Sequence, residues 1–335
     1  MKRNFLLTTL WLLISLGSGF SQTASGPYRL LKTIPVEGDG FWDYLIKDPQ
    51  LPRLFISHGT CVQVLDLKTE KLMGTIPNTP GVHGIALVQE FGKGFISAGK
   101  IDSVIVFDLT TYAVVAKIKT GKKPDAIIYD PFSKRVFAFD GGSNEVTVID
   151  AKSNAVVGGV SFPGNPEFAA PDGSGKMFVN IEDTGMIIKF DTRTLKVEAQ
   201  WPLAPGKGPT GLAYDRVHKR LFSGCSESKQ MVILDVVTGK VITTLPIGEH
   251  CDGVTFSPED QNAVSSNGDG TMTVVHQSGP SDYQVIQTVP TRKSARTIAY
   301  DEAAHRFYLP FADVTLENGK RKLTPGSFGI CVVGK

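Results

Sequence analysis

Five aspartates set the rhythm of this chain. Asp66, Asp108, Asp150, Asp191 and Asp235 follow one another at intervals of 42, 42, 41 and 44 residues. Each ends an alternating run of β-branched and aromatic residues: VQVLD, VIVFD, VTVID, IIKFD and MVILD. Each is followed by a few polar residues and a second apolar run such as KLMGTI or KVITTL, the pattern of a hairpin. An aspartate in such a turn accepts hydrogen bonds from backbone N–H groups, so its recurrence needs no chemistry.

Two further strands precede each hairpin. One reads DAIIYDP, TGLAYDR, DGVTFSP or RTIAYDE, and the next KRVFAFD, KRLFSGC, KGFISAG, GKMFVNI or HRFYLPF. A unit of four short strands cannot bury both faces alone. Units arranged radially can, and that is a β-propeller blade. Six blades are expected over about 41–77, 81–119, 124–162, 165–202, 209–247 and 251–290. A seventh, over about 295–335, lacks its outer strand, and YRLLKTIPV (28–36) resembles the outer strand of the others. The expected fold is all-β: a seven-bladed β-propeller in one domain over 22–335, its ring closed by the N-terminal strand. Closure removes open sheet edges.

The segments SNEVTVIDAKSNAVVGGV, IGEHCDGVTFSPED and TLKVEAQWPLAPGKGPTGLAYD resemble the YVTN-type, YncE-like propeller repeats. The resemblance covers the chain beyond its first residues and implies the propeller fold. It departs at FAFDGG in blade three and at VVHQSG in blade six, where the turn acid is missing. It implies no catalytic residue, because such propellers serve as binding platforms as often as enzymes.

In a blade of alternating strands, the connections into strand one and the turns between strands two and three open on one face. Aligned, those connections read WDYLIKD, VHGIALV, PDAIIYD, PEFAAPD, PTGLAYD, CDGVTFS and ARTIAYD. Their second residues are Asp43, His83, Asp125, Glu167, Thr210, Asp252 and Arg296, expected to point toward the channel mouth. Crowded carboxylates raise one another's pKa or hold a cation. Asp43, His83, Asp125, Glu167, Asp252 and Arg296, with His58 and His250 on neighbouring loops, are the candidate ligand-binding residues. Asp125, Glu167, Asp252 and His83 are the candidate metal ligands. Oxygen donors suit calcium or magnesium, and imidazole shifts the choice toward zinc. A solvated, merely polar mouth with Arg296 answering the acids is the competing reading.

His218 and His305 fall in turns on the opposite face, and His276 replaces the turn acid of blade six. Cys225 and Cys251 lie one loop apart and are open to a disulfide, a free thiol or a metal ligand beside His250. A bridge requires Cα atoms roughly 4.4 to 6.8 Å apart. Cys61 and Cys331 read as buried single thiols. No zinc-type or haem-type cysteine spacing occurs.

Lys2 and Arg3, an apolar run from Phe5 to Leu16, and small residues at Gly19 and Ser21 have the layout of a secretory leader over 1–21. A periplasmic or secreted location is therefore expected, with Gln22 following the cut instead of a lipid-bearing cysteine. The apolar run is shorter than the roughly 20 residues of a spanning helix. A net charge of +2 without a basic patch argues against nucleic acid. There is no nucleophile elbow, and no helix follows the glycine-rich spots to receive phosphate. Three functions are expected in this order. The first is an exported binding module, a monomer, taking a small-molecule or protein partner at the channel mouth. The second is a metal-dependent hydrolase of the lactonase or esterase kind. The third is a scaffold in a surface or redox complex. The insertion 312–327 reads as a charged excursion.

Overall fold

A computed structural model describes residues 26–38, 40–317 and 320–335; the leader read over 1–21 lies outside the described residues. Seven four-stranded antiparallel sheets form the ring, six from consecutive strands within 42–76, 82–119, 124–161, 166–202, 209–246 and 251–290. The seventh sheet runs Arg29–Pro35, Gly329–Gly334, Arg306–Phe311, Ala299–Asp301, so the N-terminal strand is its outer edge. Arg29 lies opposite Gly334 and Pro35 opposite Gly329.

The turn aspartates behave alike. Asp66 Oδ1 accepts the N–H groups of Lys68 and Thr69, and Asp235 Oδ1 those of Val237 and Thr238. Four residues on, Glu70, Tyr112, Asn154, Leu195 and Gly239 take left-handed backbone. Each returns its N–H to the carbonyl of its aspartate at 2.8–2.9 Å. Four non-glycine residues in that conformation cost some stability, which the closed hairpin offsets.

No single core fills the molecule. Seven apolar clusters lie one per seam between neighbouring blades. Phe55, Phe95, Phe137, Phe178 and Phe222 occupy the same place in strand two of five blades, all fully buried. Glycine permits the seams to close near the axis: a Cβ on Gly211 would lie 2.5 Å from Val254 N, and one on Gly253 2.9 Å from Ile298 N. Each blade therefore buries its faces only against its neighbours.

Two sequence expectations change. RTIAYDE contributes only Ala299–Asp301 to its sheet. Arg296 and Thr297 bond sideways instead: Arg296 O accepts the Asp252 N–H at 3.2 Å, and Thr297 Oγ1 donates to Asp43 O at 2.7 Å. The insertion forms a hairpin, Val314–Glu317 against Lys320–Leu323, whose Val314 and Leu323 pack on the seam between blades seven and one.

Candidate binding site at the channel mouth

The second residue of strand one sits inside a backbone irregularity in six blades. Pairing with strand two shifts register across Trp42/Leu45, Val82/Ile85, Pro124/Ile127, Pro166/Ala169, Pro209/Leu212 and Cys251/Gly253. A bulge re-aims the side chain it contains, and here those are Asp43, His83, Asp125, Glu167, Thr210 and Asp252. Polar groups on strand two fix the bulges. Ser57 Oγ accepts the Asp43 N–H at 2.9 Å, and Ser97 Oγ accepts the Gly84 N–H at 2.7 Å and donates to Asp125 O. Asn180 Nδ2 donates to Thr210 O and Gly211 O at 2.8 and 3.1 Å.

One chain of contacts crosses five blades. Arg296 Nε donates to Asp252 Oδ2 at 2.6 Å, and its Nη2 to Asp43 Oδ1 at 3.1 Å. His83 Nδ1 lies 2.7 Å from Asp43 Oδ2 and 3.6 Å from Asp125 Oδ2. Thr210 turns its hydroxyl to Cys251 O at 2.7 Å and adds no charge. Glu167 makes no hydrogen bond or ion pair among the described residues. Glu182, from the turn between strands two and three of blade four, adds a negative field on Glu167 and Asp252. That acid escaped the sequence reading because it belongs to a turn and not to the aligned position.

The electrostatics follow. Burial among protein atoms and the charge of Asp43 push Asp125 up to about 7, against the pull of His83. Burial, then Asp125, Asp252, Glu182 and Asp43, push Glu167 well above its ordinary range. Burial raises Asp252 despite Arg296. Burial opposes the charge of His83, but the Asp43 hydrogen bond and the Asp125 field raise it to about 9. Arg296 and His83 thus balance Asp43 and Asp252. Asp125 and Glu167 are the acids left without a cation of their own, and each is the easier to keep protonated for that reason.

Below the ring runs a channel of about 480 Å³, walled by the first strands of all seven blades. Tyr44 and Phe168 stand at its upper end, each next in sequence to a ring acid, with ring centroids 5.3 Å apart. Burial and the fields of Asp252, Glu167, Asp125 and Asp43 hold the Tyr44 hydroxyl well above its ordinary pKa.

The other candidates lie elsewhere. His58 is buried, stacked on Phe328 at 3.9 Å and within 2.8 Å of Gln63 Oε1. It is a packing residue of the seam between blades seven and one. His250 is exposed and borders a small cleft with Phe41, Trp42, Arg296 and Val314. His218 contacts buried Asp215 at 2.6 Å, and His276 contacts Asn262 at 2.9 Å. The metal candidates are only partly gathered: His83 and Asp125 join Asp43, which the sequence had not marked as a metal ligand, with one ligand atom each within 4.8 Å of one another, while Glu167 and Asp252 stand outside that group. Cys225 and Cys251 are free thiols. Cys225 packs in the seam of blades four and five, Cys251 in that of blades five and six, and burial pushes the Cys225 thiol up to about 12.

Fold and geometry together define a seven-bladed β-propeller with a charged ring at one mouth. Among solved structures, a chain of the "Crystal Structure of Mitotic Checkpoint Complex" superimposes with a TM-score of 0.75 at 11% identity, covering 100% of this chain and 99% of that one. At that identity the likeness is one of fold alone. In all, 1716 solved chains match, so the architecture does not select a function. No protein-family model matches the chain, and no curated protein does. Among the described residues no helix is long and apolar enough to cross a membrane.

Proposed function

We propose that this protein is a binding platform whose channel-mouth ring receives a positively charged group. One observation carries the reading: among the described residues Glu167 makes no hydrogen bond or ion pair, Asp125 pairs with His83 alone, and Arg296 is committed to Asp252 and Asp43. An incoming cation would replace the protons that otherwise quiet these two carboxyls. Charge complementarity of this kind supplies specificity. The bound cation belongs to a small molecule or to a side chain of a partner protein. The likeness to a protein of a multi-component complex is compatible with the second source. The repeated turn aspartates support placing the chain with the YVTN-type, YncE-like propellers, and the leader-like first residues support an exported protein.

Calorimetric titration with ethylammonium at neutral pH tests the reading. Binding that weakens at least about tenfold in Glu167→Gln supports it. No binding, or binding indifferent to that change, removes it.

A second reading rests on the grouping of Asp43, His83 and Asp125. These would hold a divalent ion, which could activate a water for hydrolysis. Such an ion would have to displace the proton that Asp43 and Asp125 stabilise on His83, and would sit beside Arg296. The metal-dependent hydrolase therefore ranks second, and a stoichiometric metal in the purified protein, lost in Asp125→Ala, would promote it.

A further inference from the structure

We propose that the ligand of this ring is an amphipathic organic cation whose charged head meets Glu167 and Asp125 and whose apolar arm enters the channel alongside the contacting rings of Tyr44 and Phe168. The inference rests on the cation-binding reading and adds the chemistry of what the cation carries.

The channel has room for a group much larger than an ion. Its volume of about 480 Å³ falls within the range of small-molecule pockets. Its wall is largely apolar, with Ile85, Ile127, Leu212 and Ile298 from four blades. The acids stand above one end, while the cations Lys47 and Arg216 line the wall at and just beyond the far ends of their first strands, an arrangement that orients a ligand with one positive terminus. Glu167 and Phe168 are consecutive in one bulged strand, as are Asp43 and Tyr44, so residues next to two of the ring acids supply aromatic rings to the channel wall. Aromatic faces attract an ammonium and also cover the carbon chain attached to it. Both rings keep part of their surface open, although residues of their size are usually buried when a strand has a core to face.

A bare metal ion uses none of these features. The place where three metal-type ligands converge is already spanned by His83 and adjoins Arg296. Glu167, without a hydrogen bond or ion pair among the described residues, stands outside that group and precedes Phe168 in its strand. A singly charged ammonium head suits that position better than a small dication requiring several oxygen ligands.

The test compares three probes by calorimetry on the full chain at neutral pH: phenethylammonium, ethylammonium and 2-phenylethanol. Phenethylammonium should bind about tenfold or more tightly than ethylammonium, since its ring leaves water for the channel. 2-Phenylethanol should bind at least about tenfold more weakly than phenethylammonium, having lost the charge. Phe168→Ala should shrink the advantage of the arm, while Glu167→Gln should weaken both cations alike. If ethylammonium binds through Glu167 but the arm adds nothing, the inference falls and the cation reading stands. If 2-phenylethanol binds as tightly as phenethylammonium, or no cation binds at all, both fall. Should Phe168→Ala fail to fold, the three-probe comparison on the unaltered chain still decides.

Discussion

Replacing Asp125 by Asn should change how stability depends on pH. The carboxyl is held at about 7 in the ring against 3.8 in the unfolded chain. Between those values the folded protein keeps a proton that the unfolded chain has released. Stability then falls as pH rises, by about 1.4 kcal/mol per unit for one full proton. From about pH 4.5 to 6.5 that amounts to at most about 2.7 kcal/mol. Asp125 keeps 30% of its side chain open to water, and it shares its titration with Glu167 and Asp252, so about 1–2 kcal/mol is expected. The asparagine variant has no proton to lose and should hold this stability. The histidine does not confuse the comparison. His83, raised to about 9, contributes stability that is complete below about pH 6.5 and lost only as pH climbs through 9. Urea unfolding of parent and variant at the two pH values, followed by tryptophan fluorescence, gives the difference directly. A gap that stays constant or narrows toward pH 6.5 would refute the account of crowded carboxyls.

Other changes have equally definite outcomes. Arg296→Ala should destabilise by about 3 kcal/mol near neutrality, because Asp252 and Asp43 lose their shared cation; the loss should shrink as the acids protonate, and an equal loss at pH 4 would contradict it. Gly211→Ala, whose new carbon would meet the backbone of Gly253 and Val254, should cost about 2 kcal/mol or more by denaturant midpoint. Thr297→Val removes the hydroxyl bonded to Asp43 O and should cost about 1 kcal/mol on the same measure. Unreduced protein, alkylated after denaturation, should yield Cys225 and Cys251 as modified thiols; a mass-spectral peptide joining them would overturn their assignment as free.

The fold was legible because its signal is repetition. A turn aspartate every forty-odd residues, with alternation on either side, leaves few architectures open, and the unfinished last blade pointed to YRLLKTIPV. The same spacing aligned seven positions, five of which (Asp252, Arg296, Asp43, His83 and Asp125) are joined by side-chain contacts. What it could not reveal was the bulge that aims them, since a register shift between strands leaves no mark in the alternation of one strand. Glu182 was missed because it enters from a turn. His58 was misplaced for a related reason: its loop opens on the rim, but the ring of Phe328, from a segment some 270 residues away in sequence, draws the imidazole into a seam. The two cysteines were adjacent in connectivity, yet they pack in seams on opposite sides of blade five.

The outer strand of the last blade has a consequence for the order of assembly. Arg29–Pro35 is synthesised well before Gly329–Gly334 and has no partner strand until that segment emerges. Bringing such distant segments together is slow, and an unlatched intermediate exposes strand edges meanwhile. Arg296 arrives with that last blade, and Thr297 secures Asp43 across the final joint. The proposed recognition at the mouth would therefore appear only at the closing step, so that binding, where it is found, doubles as proof that the circle is complete.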